Sequence, residues 1–209
     1  MNNNKYYKWA KAVVFCLLLL TGNTLFAQTK WELARSAEGI KVFTSKEGTA
    51  KFKSIKVEAV LPGSLEKLVY LLTDADTNKD WIYNTKESYI VKKVNKFETL
   101  SYTETAVPWP ASNRDLPLNV SINLNERAQS LQVTARGVPN AIPVKKGIVR
   151  IPYFNSSWHV TSTGKNLVIN YFLEMDPGGS VPAWITNMFV AKGPYETFTN
   201  LAKILKQPR

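Results

Sequence analysis

Apolar and polar positions alternate with a period of two over about ninety residues of this chain, beginning after an Asp-rich stretch at 74–80. The cleanest run is 118–124, where Leu118, Val120, Ile122 and Leu124 alternate with Asn119, Ser121 and Asn123. Leu131, Val133 and Ala135 repeat the pattern against Gln132, Thr134 and Arg136, and Leu167, Ile169, Tyr171 and Leu173 form a third one-sided row. Such alternation gives each strand one buried and one wet face. Six strands in succession with short turns predict an antiparallel meander. Two earlier strands are expected at 40–44 and 52–61. Between them and the meander the period changes: Leu65, Leu68, Val69, Leu71 and Leu72 fall at helical spacing, with Ser64 placed to cap the helix after the Pro62-Gly63 break.

The C-terminus returns to helical spacing. From 181 to 205 apolar residues recur at Trp184, Ile185, Met188 and Phe189, then at Phe198, Leu201, Ala202 and Leu205, a single stripe on one long helix. Gly193-Pro194 sits in its middle and should kink it, because proline lacks the amide donor and crowds the preceding turn. A sheet with one apolar face must cover that face, and the terminal helix is the available cover. The expected class is α+β.

The first 27 residues read differently. Lys5, Lys8 and Lys11 precede a short apolar run from Ala12 to Leu20, and Leu25-Phe26-Ala27 offers a small residue at a cut site. This is the composition of a secretory signal peptide, with cleavage expected after Ala27 and export to a periplasm or the outside. Residues 28–209 then form one domain, since no linker or repeat interrupts them. The single cysteine, Cys16, lies in the leader, so the mature chain carries no disulfide and no cysteine metal site. The single histidine rules out a multi-histidine centre. The net charge of +11 suits an anionic surface or simple solubility. Nucleic acid is not an expected partner, because the lysines are dispersed and export removes it.

Candidate chemistry is sparse. His159 alternates with Trp158 and Val160, so if Trp158 faces the core His159 faces solvent, away from any catalytic triad. Asp74, Asp76, Asn78 and Asp80 have the early spacing of a calcium loop, yet Lys79 replaces its glycine and Thr85 its closing glutamate; a polar helix-to-strand connection fits better. Asp176-Pro177-Gly178-Gly179 reads as a turn. The large amphipathic side chains remain: Trp31, Trp81, Trp109, Trp158 and Trp184, with Arg114 and Arg150. They either pack a core with rim arginines or line an apolar pocket with a few orienting polar groups, and composition does not separate the two.

In order along the chain, several pieces resemble the START family, the lipid-transfer domains related to the steroidogenic acute regulatory protein. They are Trp31, Gly39-Ile40-Lys41-Val42-Phe43, Leu71-Leu72-Thr73-Asp74, Trp81, Pro108-Trp109-Pro110, Arg114-Asp115, Val149-Arg150, Trp158, Tyr171, Asp176-Pro177-Gly178-Gly179, Pro182, Trp184 and Asn187. The resemblance covers about 31–205 and implies a helix-grip fold, a curved antiparallel β-sheet wrapped around the C-terminal helix and an apolar tunnel. It implies a non-catalytic monomer that binds and transports one sterol, phospholipid or other lipid, without cofactor or metal. Under it the expected ligand-binding residues are Trp109, Arg114, Arg150, Trp158, Tyr171, Trp184 and Met188. Two other classes stay open: a polyketide cyclase or aromatase using the same cavity, with Arg150 or Tyr171 moving the proton, and an exported protein-interaction module. Residues 137–146, with Ile142 and Val144 near Lys145 and Lys146, read either as a lid that touches an anionic bilayer or as a hairpin connection packed on the sheet.

Overall fold

A computed structural model describes residues 30–45, 54–179 and 182–207 of the chain. Strands β1 (Glu32–Ala37) and β2 (Ile40–Ser45) form a hairpin. Its two turn residues, Glu38 and Gly39, both have positive φ, 52° and 76°, the left-handed geometry that two-residue hairpins favour. β3 (Ser54–Pro62) pairs with β2, and helix α1 (Leu65–Thr73) follows. Ser64 caps α1 as the spacing predicts, its hydroxyl accepting from the Lys67 amide at 3.3 Å.

The Asp-rich stretch folds into a short 3-10 turn (Ala75–Thr77) and one turn of helix, α2 (Asn78–Trp81). Among the described residues no cluster of His, Cys, Asp and Glu could hold a metal ion. The meander then runs β4 (Thr85–Asn95), β5 (Glu98–Thr105), β6 (Arg114–Asn125), β7 (Ser130–Gly137), β9 (Tyr153–Ser162) and β10 (Asn166–Asp176). These are the six alternating strands expected. The two-residue β8 (Val149–Arg150) pairs parallel to β6, an exception to the antiparallel rule. The sheet order is β1-β2-β3-β10-β9-β7-β6-β5-β4, so the one long jump joins β3 to β10 and brings the first hairpin beside the last strand.

The C-terminal segment is helical throughout its described length, but in three parts: α3 (Ala183–Asn187), a π-helical turn (Met188–Lys192) and α4 (Gly193–Lys206). The break falls where Gly193-Pro194 was expected to kink the helix. α4 packs its buried Phe198, Leu201 and Leu205 against the curved sheet, with Ile55, Val57, Leu167 and Ile169 in the same core. The architecture is the α+β helix-grip arrangement. β1 has no counterpart among the expected strands. It is exposed along its whole length, and an edge strand with no buried face shows no alternation to read. The leader at 1–27 and residues 52–53 of the second expected strand lie outside the described residues.

Candidate functional site

Between the inner face of the sheet and the helices lies a cavity of about 230 Å³. That is many times the roughly 10–15 Å³ that one buried water takes up. β6 gives it Leu116, Leu118 and Val120, β7 gives Val133 and Ala135, and β9 and β10 give Ser156, Trp158, Tyr171, Leu173 and Met175. The opposite wall comes from Leu72 and Thr73 at the end of α1, Asn78 and Trp81 of α2, and Phe189, Pro194, Thr197 and Phe198 of the terminal segment. Leu118 and Val120 are only half-buried although their strand row faces inward, because they front open space rather than packed atoms.

Aromatic rings tie the two walls together. Cross-strand register sets Trp158 beside both Tyr171 and Val133. The Trp158 ring stacks on Phe198 at 5.1 Å, lies 4.9 Å from Tyr171 and meets Trp81 edge-on at 6.4 Å. Each such pair adds about 0.5–1.5 kcal/mol beyond its buried area. Burial pushes the Tyr171 hydroxyl far above its ordinary range, against a hydrogen bond with Ser156 that pulls the other way. It therefore stays protonated at any physiological pH. The described residues lining the cavity include no carboxylate, amine, guanidinium, imidazole or thiol.

Of the seven residues expected to bind a ligand, the structure brings Trp158 and Tyr171 to the cavity wall. The other five are not among the lining residues. Trp109 is 91% exposed, at the tip of the β5–β6 connection, where a cis Trp109–Pro110 bond lies. Trp184 is 42% exposed on α3. Met188 packs instead with Val107 and Ile185 in a second, smaller core cluster. Arg114 leaves β6 on the inner face and is buried, but is not among the lining residues; its Nη1 donates to the Ser112 carbonyl at 2.6 Å and its Nε has no partner. Burial pulls its pKa down from the usual arginine value.

Arg150 is the clearest correction. It serves the outer face of the sheet: its Nε and Nη2 fork onto the two oxygens of Asp115 at 2.7 and 3.0 Å. The same guanidinium donates to the carbonyls of Pro139, Ile142 and Pro143. It thus ties the 138–148 connection to the back of the sheet. Lys145 adds a bond to Glu87 at 2.8 Å and sits 4.1 Å from the centroid of Tyr102, an outward ring of β5. None of 137–146 is among the residues lining the cavity, and the bonds from Arg150 and Lys145 fit the reading of this segment as a connection packed on the sheet. His159 is exposed, paired across the sheet with Gln132 and Asn170.

Sequence reasoning missed Trp81 as a wall residue and missed the whole inner face of β5. That face consists of Thr99, Ser101, Thr103 and Thr105, all on the cavity wall. The available signal was a strict period-two row of hydroxyls, but polarity alone turns such a row toward water.

The architecture is shared with known proteins. A STAR-related lipid transfer protein from Xanthomonas axonopodis, whose crystal structure is solved, superimposes with a TM-score of 0.76 at 29% identity, covering 85% of this chain and 99% of that one. The phosphatidylcholine transfer protein of Mus musculus is 27% identical over 169 residues, 78% of each chain. Human StAR-related lipid transfer protein 5 has the same fold, at a TM-score of 0.71 and 19% identity over 99% of both chains. With the START domain family model matching residues 20–209, helix-grip architecture and relatives agree: this chain belongs to the START domain family.

Proposed function

We propose that this protein binds one lipid in the cavity and transfers it, performing no chemistry on it. The observation that carries this is the wall itself: apolar and aromatic side chains with neutral hydroxyls, enclosed between sheet and terminal helix. Burying a hydrocarbon chain there removes apolar area from water at roughly 25 cal/mol per Å², enough to hold a lipid without strong polar contacts. The names of the relatives, a lipid transfer protein and a phosphatidylcholine transfer protein, point the same way. The cyclase reading needs a proton carrier in the cavity. Arg150 is engaged on the other face and Tyr171 holds its proton, so the wall offers no group poised near neutral pH.

Loading requires contact with a membrane, and the end of the molecule bearing Trp109 and Trp184 suits it. The two exposed indoles rise from elements joined by the Val107, Ile185 and Met188 cluster, and the exposed Lys192 follows on the same segment. Indoles favour the interface between water and acyl chains, and lysine favours anionic headgroups. The protein acts after export, with residues 1–27 removed; the lysine-then-apolar leader supports this, and N-terminal sequencing of the mature protein tests it.

Native mass spectrometry of the purified protein, followed by analysis of whatever lipid is released, tests the binding function. A one-to-one hydrophobic adduct is expected. A bare mass that persists after incubation with a membrane lipid extract would overturn the proposal.

A further inference from the structure

We infer that the inner face of β5 is a hydroxyl ladder that selects an uncharged lipid carrying oxygen functions along one edge, a reading that rests on lipid binding in this cavity. The ladder inverts the ordinary rule for a sheet. In β5, Thr99, Ser101, Thr103 and Thr105 alternate with Leu100, Tyr102 and Glu104. Polarity would turn the hydroxyls outward. Instead Ser101 pairs with Leu118 and Thr103 with Leu116, which fixes the hydroxyls on the cavity side. Tyr102 and Glu104 go to the back of the sheet, Tyr102 beneath Lys145 and Glu104 accepting from Lys86 and Asn113.

A hydroxyl turned into an apolar space and left unbonded forfeits the hydrogen bonds it makes in water. Thr103 is served by Ser88 at 3.3 Å, which in turn accepts from Asn78. Thr99, Ser101 and Thr105 make no side-chain hydrogen bond among the described residues. Water can serve them, but a ligand that displaces that water must replace its bonds. The rungs repeat every two residues, about 6.6–6.8 Å, along a lane of roughly 20 Å. Beside them on the same inner face stand Leu118 and Val120, and the helical wall opposite brings Leu72, Phe189, Pro194 and Phe198, all of which ask only for hydrocarbon. A plain hydrocarbon leaves the ladder unpaired.

A charged headgroup fares no better against this wall. No charged side chain lines the cavity among the described residues: Arg114, on the inner face, stands outside the lining with Nη1 given to Ser112 and Nε unpartnered, and Arg150 belongs to Asp115 on the other face. A phosphate or ammonium drawn into the cavity is desolvated without a counter-ion. The ligand that fits both walls is neutral, with a hydrocarbon side and hydroxyl, ester or carbonyl oxygens opposite.

The test uses three probes that share a long chain: monooleoylglycerol, oleoyl lysophosphatidylcholine and 1-octadecene. They compete at equal concentration for the purified protein, and native mass spectrometry reads the adducts. Monooleoylglycerol is expected to exceed each competitor by about tenfold or more, the discrimination one or two satisfied hydrogen bonds supply. The near-isosteric variant T99V/S101A/T105V should bring its preference over 1-octadecene to within about twofold while 1-octadecene still binds. That retained binding and an unchanged circular dichroism spectrum show the variant folded; if it does not fold, Ser101→Ala alone serves, with a smaller shift in the same direction. Lysophosphatidylcholine binding as well as monooleoylglycerol, or a folded variant that keeps the wild-type preference, would overturn the ladder. Failure of all three probes to bind the wild type would instead overturn lipid binding itself.

Discussion

Asp115 has no exposed surface, and Arg150 takes both of its carboxylate oxygens while holding the 138–148 connection by its carbonyls. Removing the arginine leaves a buried charge with no partner. Arg150→Ala should therefore lower unfolding free energy by about 3–5 kcal/mol, read from urea denaturation. The companion carboxylate, Glu104, titrates below its ordinary range. Burial works to raise it, but hydrogen bonds from Lys86 and Asn113, with the Lys86 and Lys145 charges, outweigh that. Because the folded value is depressed, its stabilisation is full above the unfolded pKa of a glutamate and is lost as pH falls through the folded value. As pH falls from above the ordinary glutamate range through the depressed folded value, Glu104→Gln should flatten the loss of stability relative to wild type. Parallel acid-denaturation profiles for the two proteins would remove this assignment.

At the level of elements, the terminal helix changes character at Gly193-Pro194. Pro194 has no amide hydrogen to give and its ring crowds the turn before it, so the backbone widens into the π turn Met188–Lys192 rather than continuing as an α-helix. Gly193 lets that turn close: a Cβ there would lie 2.9 Å from the Met188 carbonyl oxygen. Helix propensity favours alanine over glycine by about 1 kcal/mol. The close approach should win, and Gly193→Ala is expected to cost about 1–3 kcal/mol in chemical denaturation. A stabilised variant would show that the turn relaxes freely. β5 teaches the related lesson for strands: its period of two was legible, but not which face turned inward.

For the molecule as a whole, pairing of β3 with β10 sets the first hairpin beside the last strand, and the terminal helix crosses the inner face of the resulting sheet. This leaves Trp109 and Trp184 projecting from elements that share one small cluster. The Trp109 indole is almost wholly in water, so Trp109→Ala should keep its unfolding free energy within about 0.5 kcal/mol of wild type, and W109A/W184A, which also loses the covered part of Trp184, is to be checked for folding by circular dichroism. Its rate of lipid transfer between anionic vesicles should fall on the order of tenfold, since each indole loses favourable interfacial burial. Transfer at the wild-type rate would exclude this end as the docking face.

Period and punctuation along the chain determined the α+β class, the six-strand meander, the capped helix after Gly63, the interrupted terminal helix and the solvent side of His159, because these follow from local spacing and backbone chemistry. The ordered pieces from Trp31 to Asn187 carried the family resemblance for the same reason, each marking a turn, a strand or a helix end. What the cavity is made of was decided in three dimensions. Trp158 and Tyr171 reach its wall by cross-strand register, while Arg150, equally prominent in sequence, is drawn to the opposite face by a carboxylate thirty-five positions away. The hydroxyl row of β5 faces inward because its neighbours on β6 do, a preference no period within β5 itself can encode.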